Sequence, residues 1–356
     1  MHILHVACMP FPTMQGSQVY LKGLLRAQSK RHRVALLCYG YGLESGDEPY
    51  EIIRIRNVGN YRRMRAGPDV YKPILDVLLA KKLWGMQADV IHVHNYEAPI
   101  AAYIRRIRKK TPIVYTAHNT MEEELPTYWQ HRYLKGLARR FGKMLDYQIP
   151  KRADVVVAIR PETESNLRSL GCHRVYTILP GVEELAYSTQ KHIRPTVMYA
   201  GNVDAYQNLG DLIELAKRLS NVNFRLVTSQ IEGFSHEVPP NVCIVETSDF
   251  QKVCEEISQA HIFLVPRKIC SGFPMKILNA LALGVPVVTY SSTAPLLKGT
   301  LYCQDIDDME VRIRHLLSNV HLANLQGVEG REFVLSEYMW ENSALKLDTI
   351  YNMIKQ

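Results

Sequence analysis

Short apolar runs alternate with helical patterns along the whole chain, and they do so in two separate series. The first series predicts strands at Ile3–Cys8, Arg33–Cys38, Val90–His94, Ile113–Thr116 and Val155–Ile159. The second predicts strands at Thr196–Ala200, Phe224–Thr228, Val242–Val245, Ile262–Val265 and Val285–Thr289. Strands that are apolar throughout and separated by helices are typical of parallel sheets covered on both faces. We therefore predict an α/β protein with two Rossmann-like domains.

A domain boundary is expected where the alternation stops and starts again. A polar segment that ends in Pro195 separates the two series, and 356 residues are too many for one ordinary core. This places a first domain at residues 1–180, a linker at 181–195 and a second domain at 196–335. Doubly wound sheets bind ligands beyond the carboxyl ends of their strands, so two such domains facing across a cleft suit a reaction that joins two substrates.

Positive charge is concentrated in the first half of the chain. Residues 1–180 contain 28 Lys and Arg against 15 Asp and Glu, whereas the rest contains 15 against 20. The dense basic clusters are residues 62–65 and 105–110. A basic half fits an anionic membrane surface or an acidic acceptor, although a chance scatter of solvated charge gives the same numbers. The clusters lack interleaved aromatic residues, so we expect no nucleic-acid binding.

Several other classes of protein are disfavoured. No apolar run reaches the roughly 20 residues that a membrane-spanning helix needs, and the first residues resemble a strand rather than a signal peptide. The seven cysteines are scattered without a C-x-x-C, which indicates reduced thiols in the cytoplasm rather than disulfides or a zinc site. No G-x-G-x-x-G follows the first strand, which argues against a dehydrogenase.

The segment from Pro266 to Val288 carries the strongest chemical signal. A glycine-containing turn follows a strand here and leads into a helix that begins near Phe273–Pro274. Unpaired amides at a helix start attract anions, Gly272 lets a phosphate approach the backbone, and Lys276 places a cation one turn into the helix. An ordinary strand–turn–helix of any α/β protein is equally consistent with these residues.

The same segment resembles the donor-binding signature of glycosyltransferase family 4, which has the GT-B fold. The match falls on Gly272, Phe273, Ala280, Ala282, Gly284, Pro286, Val287 and Val288. Ser271 and Asn279 stand where the family has glutamates, and Lys276 stands where it has a proline. The resemblance implies that Asn279 binds the donor ribose and that Ser271 meets the sugar or the phosphate. The donor-binding residues expected in this segment are Arg267, Ser271, Gly272, Phe273, Pro274, Met275 and Asn279.

A second match, at residues 198–213, resembles the family's strand and the turn whose arginine and lysine clamp the donor diphosphate. Those two positions are Asn202 and Gln207 here, and both are neutral. Because a diphosphate is strongly anionic, other cations are needed in their place. The candidates are Lys276, Arg267 and Lys268. The alternative is a non-catalytic protein of the same fold that binds a nucleotide sugar or a glycan.

The first half carries further resemblances. Residues 115–119 resemble the family's strand-T-x-H motif, whose histidine lines the cleft near the donor sugar, so His118 is the expected catalytic partner of Lys276. A purely structural histidine is the alternative. His92 and His94 point to one face of a strand, and we interpret them as strand-end residues rather than metal ligands. Gly16 resembles the glycine of the loop that meets the donor phosphate or the acceptor.

Residues 336–356 resemble the family's closing helix, which in GT-B proteins crosses back to the first domain. The whole resemblance implies a retaining transfer of a sugar from a nucleotide-sugar donor to an acceptor hydroxyl, with no metal and no cofactor. A sugar, a lipid-linked molecule or another small molecule would serve as the acceptor.

Two acidic segments are interpreted as structural. Asp305-Ile-Asp307 imitates a metal-binding D-x-D, but it precedes a helical pattern, where aspartate caps the first turn. Glu122–Glu124 could bind a cation or a basic acceptor, and a solvated loop is the interpretation that we favour.

Overall fold

The computed structural model describes residues 1–13, 15–44, 46–63, 67, 69–129, 131–186, 188, 190–232, 234–268, 273–292 and 296–355. The chain divides into two compact units. The first unit is Met1–Gly181 with Trp340–Gln356, and the second is Val182–Met339. The segment that we assigned to a linker therefore falls within the second unit from Val182 onward.

The first unit contains a parallel sheet with the strand order β3-β2-β1-β4-β5-β6-β7. Its strands are β1 (His2–Ala7), β2 (Arg33–Cys38), β3 (Glu51–Arg54), β4 (Val90–His94), β5 (Ile113–Ala117), β6 (Val155–Ala158) and β7 (Val175–Thr177). Its helices are α1 (Gly16–Ser29), α2 (Lys72–Trp84), α3 (Ala98–Arg106), α4 (Met121–Glu124), α5 (Arg132–Gln148), α6 (Pro161–Ser169) and the last helix, α12 (Trp340–Lys355).

The second unit contains a parallel sheet with the order β10-β9-β8-β11-β12-β13. Its strands are β8 (Thr196–Ala200), β9 (Asn223–Thr228), β10 (Val242–Glu246), β11 (Ile262–Val265), β12 (Val287–Tyr290) and β13 (Thr300–Cys303). Its helices are α7 (Leu209–Arg218), α8 (Phe250–Gln259), α9 (Met275–Ala282), α10 (Ile306–Ser318) and α11 (Val320–Glu337).

The predicted α/β class with two parallel sheets is confirmed. Sequence patterns missed β3, β7 and β13, and each of these strands lies at an edge of its sheet. Edge strands are only partly buried, so they lack the continuous apolar run that marks a central strand. No helix within the described residues is both long and apolar enough to cross a membrane.

Helix α12 packs on α1 through an aromatic contact. The buried Trp340 indole meets the Tyr20 ring edge to face, with ring centroids 5.2 Å apart. Gly23 leaves room for the indole, because a Cβ at this position would come within 2.2 Å of the ring. The absence of a side chain at Gly23 thus allows the last helix to cover the first one.

Replacing Gly23 by alanine should destabilise this packing. Overpacking costs about 1–3 kcal/mol, and the gain in helix propensity offsets roughly 1 kcal/mol, so we expect a net loss of about 1 kcal/mol. Gly136→Ala in α5 is the matched control, because the space around Gly136 is open and alanine should stabilise there. Urea unfolding of both variants tests the prediction, which fails if Gly23→Ala is as stable as Gly136→Ala.

Candidate active site

Lys276 lies in the first turn of α9 and reaches the turn that follows β8. Its Nζ donates hydrogen bonds to the Tyr199 hydroxyl at 2.9 Å and to Gln207 Oε1 at 3.1 Å. The ammonium group also lies 4.3 Å from the centre of the Tyr199 ring. Gly201 permits this approach, because a Cβ there would come within 2.5 Å of Nζ.

The two neutral residues at the family's cation positions are bonded to each other. Gln207 Nε2 donates to Asn202 Oδ1 at 2.8 Å, and Asn202 Nδ2 donates to the Tyr206 hydroxyl at 2.8 Å. The Tyr199 hydroxyl donates to the Asn202 carbonyl oxygen at 2.6 Å. Burial raises the pKa of Tyr199, so its phenol stays neutral beside the Lys276 ammonium. The structure thus brings Asn202, Gln207 and Lys276 into one cluster.

The other two candidate cations have different surroundings. The Arg267 guanidinium lies over the Tyr206 ring at 4.8 Å, at the edge of the same cluster. Lys268 forms an ion pair of 3.0 Å with Asp211, which also accepts a hydrogen bond from the Tyr290 hydroxyl. A carboxylate therefore already balances the Lys268 charge.

The start of α9 differs in detail from the expectation. The helix begins at Met275, and Pro274 precedes it as the N-cap residue. The Met275 amide donates to the Phe273 carbonyl oxygen at 3.0 Å, so it does not face outward as a free donor. Asn279 is half-buried one turn after Lys276. Ser271 and Gly272, which the sequence assigns to phosphate and sugar binding, lie outside the described residues.

In the first unit, His118 directly follows β5 and is buried. Its ring and the Tyr20 ring meet in a T-shaped contact with centroids 4.9 Å apart. Tyr20 belongs to α1, which begins at Gly16, and the space around Gly16 is open. The structure thus relates Gly16 and His118 through one helix and one ring contact, while their roles in binding stay predictions.

Four histidines form one buried group. Nε2 of His118 lies 3.2 Å from Nδ1 of His94, and Nε2 of His94 lies 3.0 Å from Nδ1 of His5. His92 pairs with His5 across β1 and β4. His5 was not predicted from the sequence, because a lone histidine in an apolar strand carries no signal until the sheet register places it beside others.

His5, His92 and His94 carry ring nitrogens within 4.8 Å of one another, which is close enough to consider a metal ion. Their rings are stacked, however, with interplanar angles of 29°, 17° and 17°. Imidazole lone pairs lie in the ring plane, so stacked rings cannot aim three of them at one ion. All six ring nitrogens also have hydrogen-bond partners. Hydrogen bonding rather than metal binding accounts for the group.

These imidazoles are neutral at physiological pH. Burial lowers the pKa of His118 to about 4 and that of His5 to about 3, and it lowers the pKa values of His92 and His94 well below the usual range. His118 therefore takes part in hydrogen bonding and does not supply a positive charge near pH 7.

The two acidic segments have different outcomes. The interpretation of Asp305 as a helix cap is confirmed, because its carboxylate accepts the Asp308 amide at 2.9 Å at the start of α10. The loop predicted at Glu122–Glu124 is wrong, because these residues belong to helix α4. Glu124 accepts hydrogen bonds from Asn119 at 2.9 Å and from Tyr128 at 2.5 Å, so its carboxylate has structural partners.

The basic clusters predicted at residues 62–65 and 105–110 are only partly available to a partner. Arg105 is buried, and its guanidinium donates to the Thr111 hydroxyl and to the Met86 carbonyl oxygen. Arg106 and Arg63 form ion pairs with Asp154 and Asp69. Arg65 lies outside the described residues.

Two family models match the chain. The model described as Glycosyltransferase Family 4 matches residues 14–184, and the one described as Glycosyl transferases group 1 matches residues 194–319. The chain is a glycosyltransferase of the family 4 type. Among proteins with curated functions, none matches this glycosyltransferase in sequence.

Solved structures share the glycosyltransferase's fold at low sequence identity. Sucrose-phosphate synthase from Thermosynechococcus elongatus is 16% identical with a TM-score of 0.82, and the match covers 99% of each chain. Anabaena HepE in complex with UDP and glucose is 12% identical with a TM-score of 0.72, covering 99% of this chain and 100% of HepE. The lipopolysaccharide outer core galactosyltransferase WaaB is 13% identical with a TM-score of 0.67, covering 100% of each chain.

His118 should make folding stability depend on pH. The unfolded chain protonates this histidine near pH 6.5, whereas the folded protein does so near pH 4, so stability falls as the pH drops through this window. The loss between pH 6 and pH 5 is about 1 kcal/mol. His118→Asn removes this component, and urea unfolding at several pH values should show a shallower dependence by that amount.

Carboxyl groups with raised pKa act in the opposite direction. Burial raises the pKa of Glu97 to about 7 and that of Asp146 to about 6, so these groups bind protons in the folded state first. They are present in both proteins and cancel in the difference. Parallel pH profiles for the two proteins would show that the His118 pKa is not depressed.

Proposed function

We propose that this glycosyltransferase uses a nucleoside-diphosphate sugar as donor and transfers the sugar with retention of configuration and without a metal ion. The observation that carries the proposal is the position of the Lys276 ammonium at the Asn202–Gln207 turn. The resembled family clamps the donor diphosphate at this turn with cations that the chain lacks. UDP-sugars are the first donors to test, because HepE of the same fold was solved with UDP-glucose.

The chemistry requires the protein to stabilise the leaving diphosphate, to hold the donor and to orient the reacting groups. The bond between the anomeric carbon and the diphosphate breaks, and its electron pair leaves on a phosphate oxygen. The acceptor oxygen forms its new bond on the same face, and its proton passes to the leaving phosphate. Lys276 and Arg267 would stabilise the charge that builds on the diphosphate. Asn279 would hold the ribose, and His118, Gly16 and their surroundings would orient the reacting sugar or acceptor.

The acceptor is proposed to be a sugar or a lipid-linked hydroxyl in the synthesis of a cell-surface glycan, a glycolipid or a secondary metabolite. WaaB, which shares the fold, is a galactosyltransferase of the lipopolysaccharide outer core. A cytoplasmic location agrees with the free thiols of the described cysteines. No cofactor beyond the donor is required by this mechanism.

A specific observation favours a second candidate, a binding protein without turnover. Asn202 and Gln207 satisfy each other by a hydrogen bond, so the turn is stable without any diphosphate. Such a protein would bind the donor and release it unchanged. Product analysis with purified protein, a donor and simple acceptors separates the candidates. Only the enzyme forms a glycoside with an acceptor or slowly hydrolyses the donor when no acceptor is present.

Replacing Lys276 by methionine should lower the kcat for transfer at least about 100-fold, because the leaving diphosphate loses a positioned cation. Thermal stabilisation by UDP should fall in parallel, since binding to the folded state raises its stability by mass action. Lys217→Met is the matched control on the exposed face of α7 and should behave as wild type. Wild-type transfer by Lys276→Met would refute the assignment of the clamp.

We also propose that helix α5 attaches the protein to an anionic membrane surface. Its apolar side chains at helical spacing face solvent, and Tyr133 and Phe141 are 70% and 52% exposed. The solvent-facing apolar residues of α5 are Tyr133, Leu134, Leu137, Phe141, Met144 and Tyr147. A helix buries its apolar face against protein when it belongs to an ordinary core, so an outward apolar stripe needs another explanation.

The charges of α5 support a lipid surface as the proposed partner. Its basic residues are Arg132, Lys135, Arg139, Arg140 and Lys143, and all five are exposed. Its acidic residue, Asp146, is buried and accepts the backbone amides of Met121 and Glu122. Apolar side chains beside an excess of cations are typical of helices that lie in the headgroup region of anionic bilayers. This helix replaces the two basic clusters as the proposed contact.

Phe141→Glu should weaken binding to phosphatidylglycerol vesicles at least about 10-fold, because burial of a large apolar side chain contributes roughly 1.5–3 kcal/mol. Leu345→Glu, an equal change at an exposed position of α12, is the matched control. Vesicle pelleting measures both, with phosphatidylcholine vesicles for comparison. Equal pelleting of wild type with neutral and anionic lipid, or an unaffected Phe141→Glu variant, would exclude the membrane proposal.

A further inference from the structure

Seven buried side chains of the first unit form one continuous hydrogen-bonded chain. In order, they are Thr116, His92, Tyr351, Gln28, His5, His94 and His118. The donor–acceptor distances along the chain are 2.6, 2.5, 2.9, 2.8, 3.0 and 3.2 Å. This hydrogen-bonded chain connects helices α1 and α12 with strands β1, β4 and β5. It ends at His118, to which the family resemblance assigns a role in the reaction.

Each imidazole in this chain carries a single ring proton. Burial lowers the pKa of all four histidines, so none is protonated on both nitrogens near pH 7. A neutral imidazole donates through one nitrogen and accepts through the other. Because every link joins two such groups, the direction of one hydrogen bond determines the direction of the next.

Gln28 sets that direction. Its Nε2 donates to the Tyr351 hydroxyl, so its Oε1 faces His5 and requires a proton on His5 Nε2. His5 Nδ1 is then an acceptor, which requires a proton on His94 Nε2. By the same argument, His94 Nδ1 accepts from a proton on His118 Nε2. Nδ1 of His118 is left as a lone pair, and it has no hydrogen-bond partner among the described residues.

The other arm of the chain follows the same rule. Burial raises the pKa of Tyr351, so its phenol keeps its proton. Since the hydroxyl oxygen accepts from Gln28, its proton goes to His92 Nδ1, and His92 donates through Nε2 to the Thr116 hydroxyl. All four histidines therefore share one tautomer, with the proton on Nε2. Turning the Gln28 amide over would reverse every link and give all four the opposite tautomer.

We propose that Gln28, supported by Tyr351, is a positioning residue that holds His118 as its Nε2–H tautomer through His5 and His94. His118 then offers Nδ1 as an acceptor, which fits a substrate hydroxyl and not a phosphate oxygen. This assignment of ligand chemistry rests on the proposed function, because it takes His118 to face the substrate. The tautomer itself is a property of the free enzyme.

The direct test is nitrogen-15 NMR of the free enzyme labelled at histidine. Long-range proton–nitrogen correlations distinguish the two tautomers, and single histidine replacements assign the signals. In the wild type near pH 7.5, we expect the Nε2–H pattern for His5, His92, His94 and His118. An Nδ1–H pattern for His118, or different tautomers within the set His5, His94 and His118, would overturn the proposal.

Two variants test the two arms of the hydrogen-bonded chain separately, the arm from Gln28 to His118 and the arm from Gln28 to Thr116. In Gln28→Glu the carboxylate only accepts, so Tyr351 must donate to it and His92 must switch to Nδ1–H, while His5, His94 and His118 keep their tautomer. In Tyr351→Phe the Gln28 amide loses its acceptor and can turn over, so His118 should show a mixture of both tautomers. Tyr176→Phe, which removes an exposed hydroxyl, is the control and should leave the spectrum unchanged.

Using two variants keeps the test decisive even if one of them does not fold. If Gln28→Glu does not fold, Tyr351→Phe and the wild-type spectrum still decide the outcome. A single unchanged tautomer of His118 in Tyr351→Phe would overturn the role of the Gln28–Tyr351 pair. If the tautomers are as expected and His118→Ala transfers sugar normally, the proposed role of His118 in the reaction fails while the hydrogen-bonded chain stands.

Discussion

An ammonium group lying against bare backbone organises the candidate donor site. The Lys276 side chain reaches across from α9 to the turn after β8, and it fits there because Gly201 has no Cβ. Gly201 also has a φ of +144°, a backbone conformation that side chains rarely adopt. A larger residue at this position would displace the cation and the hydrogen bonds of Tyr199 and Gln207 with it. The turn and the helix are therefore constrained together.

Under the proposed function, this arrangement would let a diphosphate clamp operate without the cations that the resembled family uses at this turn. Asn202 and Gln207 keep the turn closed by hydrogen bonding to each other, and the cation enters from another element of the same unit. Parallel strands allow a cation from another element to take this place, because the carboxyl ends of the neighbouring strands β8 and β11 lie on the same side of the sheet. A side chain from the helix after β11 can then reach the turn after β8.

The first unit keeps its buried histidines neutral and carries positive charge at its surface. Strands β1 and β4 carry His5, His92 and His94, and His118 directly follows β5. Burial keeps all four neutral, and hydrogen bonds satisfy the ring nitrogens of the three strand histidines. Arg105 is a buried cation of this unit, and other positive charge lies on surfaces such as the outer side of α5. A low-dielectric core favours the neutral form of an imidazole, so burial keeps these histidines uncharged. The cations of α5 stay in contact with water beside exposed apolar side chains. The sequence counts show the charge but not this separation.

The sequence by itself determined the α/β class, the central strands and the resemblance at the donor segment, because apolar periodicity and local turn residues are encoded over short stretches. It also predicted Lys276, Arg267 and Lys268 as candidate replacement cations, because the resembled clamp has neutral residues at Asn202 and Gln207 here. Only the tertiary structure placed Lys276 against Gly201, joined His5 and Gln28 to His118, buried Arg105 and turned the apolar stripe of α5 outward. These features depend on sheet register and on which helix faces which strand, and residues far apart in the chain decide both.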